Sequence, residues 1–444
     1  MRTESFRSPV TLEGKHVRLV PLEDSYAERL APIWANPEVN RYLIGILPAP
    51  AGADLHRMIK LLLERQAAGT DLPFATLRAT DLRPIGMTRY LHIDRPNDSV
   101  EIGGTWLDPT YWRTPFNTEA KLLMLHHAFE MEEAHRVCLQ TDQRNERSQR
   151  AIERLGAVRE ALLRDDRKLN TGGYRSSVFF SILRPEWPAV KRSLEAKRET
   201  PYAGLVQSPP NASVPVPGPR VPSPGGGGSS ELPSLSFRPP VLLTGRYVEL
   251  VPLDRGQVSA LAHAGRDPEV WRLLRIGPGR NLSEMTELVE QILEEQRKGA
   301  ALPFAVLTLP DRVPIGMFRF LDIHREDRWV ETGTWLDPDY WRTPVNTEVK
   351  YLGLSYAFDR EKAHRVQLRT DSRNVRSQRA IERLGGVSEG MHREHIRLRD
   401  GSYRTSIVYS ILEGEWPAVK RRLEENLTRP WSGARPAAPA GATT

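Results

Sequence analysis

The chain runs to 444 residues, 39% of them hydrophobic and 27% charged, with a formal net charge of +7. That is enough to bury two ordinary cores, and the charge excess suits acidic small molecules or a loose hold on nucleic acid without requiring either. No apolar run is long enough to span a bilayer, and the single cysteine, Cys138, excludes an intramolecular disulfide or a cysteine-built zinc cluster. The opening "MRTESFRSPV" has no apolar segment of the secretory kind, so the expected compartment is the cytoplasm, with no membrane partner.

In chain order, "KHVRLVPL" alternates as a first strand, and "AERLAPIWANPEVNRYL" and "LHRMIKLLLERQ" predict helices. "PFATLRA" and "PIGMTRYLHID" follow as strands joined by the turn "DLRP", and "SVEIGGTWLD" is a strand with two glycines inside it. "NTEAKLLMLHHAFEMEE" predicts a long helix, "HRVCLQTD" a strand, and "ERSQRAIERLG" a helix ended by Gly156. "AVREALLRDDR" and "YRSSVFFSIL" close the set as two strands. This order predicts an α/β fold: a mixed, mostly antiparallel sheet with helices on both faces.

The set then returns. "GKHVRLVPLE" recurs as "GRYVELVPLD", "RSQRAIERLG" recurs unchanged from Arg376, and "EWPAVKR" occurs at Glu186 and Glu415. From Thr105 to Gly156, 38 of 52 residues match those from Thr334 to Gly385. A whole domain is duplicated, because a solenoid would need a far shorter period. The expected domains are 8–199 and 241–428. Between them, 200–240 is rich in proline, glycine and serine and too poor in apolar residues to fold; the tail, 429–444, is alike. As a flexible coil the linker would span roughly 35 Å. Two similar domains on such a tether are able to pair as an internal pseudo-dimer.

Each copy opens a helix with one phrase, "WRTPFNTEAK" and "WRTPVNTEVK". Thr114 and Thr343 suit the N-cap, and the prolines that follow suit the first helical position. The amides of Phe116, Asn117 and Thr118, and of Val345, Asn346 and Thr347, would then point out of the positive helix end. An anion placed there would meet those donors, the threonine hydroxyls, and Arg113 or Arg342. An ordinary cap beside a solvated arginine is the other reading. In the next helix Asn145, Ser148, Ile152 and Leu155 form one stripe, which puts an Asn and a Ser at the start of the inward face. Asn374 and Ser377 repeat this, and either a ligand or a helix cap would satisfy them.

The sequence "EIGGTWLDP-YWRTP-NTEAK…HAF…HRV…TD.RN.RS.RAIERLGA" resembles the GNAT superfamily of acetyl-CoA-dependent N-acetyltransferases. It is most similar to the branch that acetylates the N-termini of ribosomal proteins. The resemblance covers Gly14 to about Lys197 and Gly245 to about Glu425. It implies two tandem GNAT domains, acetyl-CoA as co-substrate, no metal, and a primary amine as acceptor, a ribosomal protein among the candidates. In the family a loop of pattern Arg/Gln-x-x-Gly-x-Gly/Ala cradles the pyrophosphate. Here "WRTPFN" and "WRTPVN" stand in its place, with Pro115 and Pro344 for the first glycine and Asn117 and Asn346 for the second. The resemblance assigns Asn145 and Asn374 to the pantetheine arm, and Ser148 and Ser377 to the departing thiol. It assigns the amides of Thr105, Trp106 and Leu107, and of Thr334, Trp335 and Leu336, to the acetyl carbonyl.

Acyl transfer also needs a base for the amine, and Glu101 and Glu331 in the adjoining strand are the candidates. Their copies differ: "VEIGGTW" has one glycine more than "VETGTW", so the two halves are expected to differ in rate, one of them slower or inactive. The acceptor groove is expected at 41–58 and 272–285, which also differ. The alternatives are an acetyl-CoA sensor without turnover, and a ribosome- or nucleic-acid-binding platform, which would show a strong salt dependence.

Overall fold

A computed structural model describes residues 1, 3–43, 53–169, 173–199 and 235–428. The expected tail, most of the expected linker, and 44–52 of the first acceptor segment lie outside the described residues. The described chain falls into two compact units, one within 1–93, 100–134 and 184–234, the other within 94–99, 135–183 and 235–444. The second unit holds the described second copy together with the 135–183 stretch of the first.

The first copy runs β1 (Leu12–Glu13), β2 (Val17–Pro21), α1 (Ala27–Trp34), α2 (Pro37–Asn40), α3 (Ala53–Ala67), β3 (Leu72–Arg78), β4 (Pro84–Asp94), β5 (Ser99–Leu107), α4 (Pro115–His126), β6 (Arg136–Asp142), α5 (Glu146–Arg154), β7 (Val158–Lys168), β8 (Tyr174–Leu183) and α6 (Trp187–Glu199). The second repeats it as β9 (Leu243–Thr244), β10 (Val248–Pro252), α7 (Val258–Ala264), α8 (Pro268–Trp271), α9 (Leu282–Arg297), β11 (Ala301–Thr308), β12 (Pro314–His324), β13 (Trp329–Leu336), α10 (Pro344–Ser355), β14 (Arg365–Asp371), α11 (Val375–Leu384), β15 (Val387–Arg397), β16 (Tyr403–Leu412) and α12 (Trp416–Leu427).

Two departures from the sequence pattern have local causes. The helix expected over "AERLAPIWANPEVNRYL" breaks at Ala35–Asn36, because Asn36 Oδ1 accepts from the Glu38 amide at 3.0 Å and Pro37 starts a new helix. The long helix after "RTP" ends earlier than expected, in a π turn over His127–Met131. The closing helices α6 and α12 carry a proline within their first turn, where it breaks no bond, so "EWPAVKR" conceals a helix start.

In the first unit β1, β2, β3 and β4 pair antiparallel in that order, with β5 next. In the second unit the order is β6-β8-β7-β15-β16-β14-β13-β12-β11-β10-β9, and of these neighbours only β13 and β14 are parallel. Helices cover both faces of the second copy's sheet. Val345, Val349, Ile381, Leu384, Trp416 and Val419 of α10–α12 pack on Phe304, Phe318 and Phe320 from one side. Leu261, Met285, Leu288 and Ile292 of α7 and α9 pack on Met317 and Trp335 from the other. Glu348, buried in α10, accepts from the amides of Arg246, Tyr247 and Val248 at 2.7, 2.6 and 2.8 Å and ties the helix to the start of β10. Glu119 does the same for Lys15, His16 and Val17.

Within the second unit β7 and β15 cross at Ala161 and Gly390. A Cβ on Gly390, whose φ is +124°, would lie 2.3 Å from the Glu160 carbonyl oxygen, so only glycine allows this approach. Around the crossing, contacts come in reciprocal pairs. Glu160 accepts from both terminal nitrogens of Arg136 at 2.7 and 2.5 Å and from Arg393 Nε at 3.1 Å; Glu389 accepts from Arg365 at 2.6 and 2.7 Å and from Arg164 Nε at 3.2 Å. His135 meets Glu394 at 2.6 Å and His364 meets Asp165 at 3.0 Å.

Candidate active site

The second copy's candidates all lie in one unit. There β13 and β14 are paired only from Trp329/Arg365 to Thr332/Leu368, although β13 continues to Leu336 and β14 to Asp371. Beyond Thr332 the strands part. Among the described residues, the backbone groups of Gly333–Leu336 that would face β14 meet no strand, and a half-buried segment of this kind needs a partner. The buried Thr334 Oγ1 and Trp335 Nε1 have no hydrogen-bond partner among the described residues either. Thr334, Trp335 and Leu336, the expected carbonyl site, therefore line an opening in the sheet.

The helix start stands beside that opening because Trp341 Nε1 donates to the Leu336 carbonyl at 2.9 Å. Thr343 is the N-cap of α10 and Pro344 its first residue, as the sequence predicts. The hydroxyl of Thr343 donates to the Tyr340 carbonyl at 2.8 Å and accepts from the Val345 amide at 3.3 Å, and the Val345 side chain is buried. Of the three amides expected to receive an anion, that of Val345 is thus already capped, which leaves Asn346 and Thr347. The first copy matches: Thr114 donates to the Tyr111 carbonyl and caps the Phe116 amide at 3.4 Å, leaving Asn117, whose buried Oδ1 has no partner among the described residues, and Thr118. Arg113 and Arg342 are exposed and left-handed, with φ of +61° and +63°.

A residue that the sequence reading missed joins this group. The Arg376 guanidinium lies 3.2 Å from the centroid of Trp341. Burial, then the nearby charges of Arg342 and Arg272, lower its pKa, with Glu269 opposing. Arg272 is paired with Glu269 at 3.0 Å, whereas an anion at the helix start would relieve the repulsion between Arg342 and Arg376. The signal was present in "RNVRSQ", one residue before Ser377, but an exposed-face arginine looks the same.

Asn374 is the N-cap of α11, its Oδ1 accepting from the Ser377 amide at 3.0 Å, and Asn145 caps α5 through Ser148 at 3.1 Å. The capping alternative is therefore realised on the oxygen of each side chain, and the –NH2 donors remain. Asn145 and Ser148 lie in a different unit from Glu101, Thr105–Leu107 and Arg113–Thr118.

The two candidate bases have different surroundings. Glu331 is buried, and its Oε2 accepts from Gln367 Nε2 at 3.1 Å and pairs with Arg369, which also holds Asp322 at 2.6 Å. Glu101 is buried beside His92, whose Nδ1 lies 2.9 Å from Oε2, and that imidazole is 60% exposed. His92 and Asp322 occupy the same place in their copies, as do Gln140 and Arg369, so the base changes its partner between copies. Gly104, the extra glycine, has a φ of +57°, and a Cβ there would come within 3.1 Å of Arg89 Nε. Arg404 Nη1 donates to the Leu273 carbonyl at 3.2 Å and so ties the expected acceptor segment to β16.

Comparisons with known proteins place the chain in a family. The model of the Acetyltransferase (GNAT) domain matches residues 16–158 and again 248–387. The chain is 27% identical over 174 residues to the "Uncharacterized N-acetyltransferase p20" of Bacillus licheniformis, covering 39% of this chain and 94% of that protein. It is 29% identical over 181 residues to the "Putative ribosomal N-acetyltransferase YdaF" of Bacillus subtilis, covering 40% and 97%. Among solved structures, a "putative acetyltransferase" from T. thermophilus is 39% identical, with 43% of this chain and 97% of that one covered and a TM-score of 0.40. With the family domain matched over both copies, the chain belongs to the GNAT family of N-acetyltransferases and carries that domain twice.

Proposed function

We propose that the chain is a cytoplasmic, acetyl-CoA-dependent enzyme that moves acetyl to a primary amine. The observation that carries this is the opening of β13 from β14 beside a helix start that follows Arg342 and has Arg376 over Trp341. An extended thioester with a diphosphate fits it: the amides of Asn346 and Thr347 with Arg342 and Arg376 would hold the diphosphate. The backbone amides of Gly333–Leu336 on the edge turned away from β12 would receive the carbonyl oxygen as charge develops on it. Bound acetyl-CoA supplies the activated acyl group. Asn374 would position the pantetheine arm through its –NH2, and Ser377 stands ready to protonate the thiolate.

The first copy is the faster one in this proposal. Glu101 has a partly solvated imidazole at hydrogen-bond distance, so a proton taken from the amine has a way out. Both donors to Glu331 Oε2 occupy it, which leaves that oxygen no room for the amine proton. The reciprocal pairs at the β7/β15 crossing support an internal pseudo-dimer of the copies. The name of the YdaF relative makes the N-terminus of a ribosomal protein the first acceptor to test.

Free-thiol release from acetyl-CoA by the full chain, against N-terminal peptides of ribosomal proteins and small amines, tests the proposal. Glu101→Gln should remove most of the turnover and Glu331→Gln little. Cofactor binding without thiol release for any amine would make the protein a sensor instead.

A further inference from the structure

One buried group on each copy has no part in the mechanism above. Lys350 on α10 and Lys121 at the same place on α4 are 7% and 4% exposed. Lys350 Nζ lies 3.4 Å from Thr332 Oγ1, on the residue where β13 parts from β14, and 5.4 Å from the Phe318 ring centroid. Lys121 Nζ donates to Thr105 Oγ1 at 2.6 Å and to Thr88 Oγ1 at 3.0 Å. The partners have changed between copies: Thr88 corresponds to Phe318, and Ile102 to Thr332. The amine has stayed. A buried amine costs free energy that leucine or methionine in the same space would avoid, so its survival while its partners changed points to a use for the amine itself.

We propose that Lys121 and Lys350 are positioning residues for acyl transfer, each placing an amine behind the strand segment that receives the thioester oxygen, Lys121 held by the hydroxyl of Thr105 within that segment and Lys350 by that of Thr332 at its edge. The inference rests on the acyl-transfer reading above. Protonated, the ammonium favours the negative charge that develops on that oxygen; neutral, it only holds the hydroxyl. Burial pushes Lys121 down to about 7 and Lys350 to about 8, so both forms exist near neutrality. Among the described residues, Glu331 is the one charged group that acts on Lys350, favouring its charge, and none acts on Lys121. Glu348, two residues before Lys350, is engaged by the amides of Arg246, Tyr247 and Val248.

The test uses the full chain, acetyl-CoA and the best amine found. The wild type should lose turnover above pH 7–8 along an alkaline limb. The Lys121→Met/Lys350→Met double variant should bind acetyl-CoA within about threefold of wild type, lose about tenfold or more of kcat at pH 7, and lose the limb. A folded double variant with wild-type kcat and an unchanged limb overturns the inference alone. A wild type that binds acetyl-CoA and never releases thiol overturns the acyl-transfer reading and this inference with it. Carbon-13 NMR of lysine labelled at Cε gives a second reading that needs no variant. Two lysines should titrate between pH 6 and 9, and their absence overturns the proposal.

Discussion

Replacing Glu160 by glutamine changes one atom and removes one charge at the β7/β15 crossing. The side chain is fully buried, and Arg136, its main partner, is 2% exposed. Glu160 accepts from Arg136 at 2.7 and 2.5 Å, from Ser181 at 2.6 Å, and from the Arg393 amide and Nε at 3.1 Å each. Glutamine keeps the shape but leaves the Arg136 charge buried without a counter-charge, which costs about 3–5 kcal/mol. Against a total stability of about 5–15 kcal/mol for a domain, the effect would be plain in urea unfolding followed by tryptophan fluorescence. The pH dependence provides a second check. Burial raises the Glu160 pKa, but the hydrogen bonds from Arg136 and His392 and the Arg136 charge outweigh it and hold the carboxyl well below its ordinary range. A depressed carboxyl stabilises the fold above its unfolded pKa of about 4.5 and stops doing so as pH falls through the folded value. The gap between wild type and Glu160→Gln should therefore close below about pH 4.5. A loss under about 1 kcal/mol at pH 7, or a gap unchanged down to pH 3, would refute the reasoning.

Asp166 behaves in the opposite sense. Burial pushes its pKa up to about 6, with the charges of Arg167, Arg175 and Arg365 and a Ser177 hydrogen bond opposing. The native state then binds the extra proton between about pH 4 and 6, so Asp166 costs stability as pH rises through that window. Asp166→Asn should raise the unfolding free energy from urea titration at pH 7.5 by at most about 3 kcal/mol, and do nothing at pH 3.5. At the helix starts, calorimetry should find two acetyl-CoA sites in the wild type. Arg113→Glu should weaken only one of them and Arg342→Glu only the other, each by about 1–3 kcal/mol. If neither variant changes binding, the phrase "RTP" is a helix cap alone.

The caps and strands were legible because their causes are local. Thr114 and Pro115 specify a helix start within two residues, and Gly156 and Gly385 end the next helix with φ of +94° and +105°. What escaped depends on pairings between distant segments. Lys121 sits among apolar neighbours on a helix that is hydrophobic nearly all round, so the sequence does not say which side meets the sheet. His92 and Arg369 reach the candidate base only across adjacent strands. Glu101 and Glu331 look alike in "VEIGG" and "VETG", and their chemistry diverges through residues 9 positions before one and 38 after the other.

The reciprocal contacts around Gly390 also bear on dosage. When two separate chains meet about a twofold axis, every substitution appears on both sides at once, so a change that suits only one side is rejected. A single polypeptide escapes that constraint, since one copy of each half is always made and always present in equal number. Aspartate can stand at 165 where glutamate stands at 394, and the histidine opposite each remains matched. Each half still carries its own glutamate and arginine for the crossing, Glu160 with Arg164 and Glu389 with Arg393. Halves made separately would therefore be able to pair with copies of themselves, and their association would depend on concentration, as that of the joined chain does not.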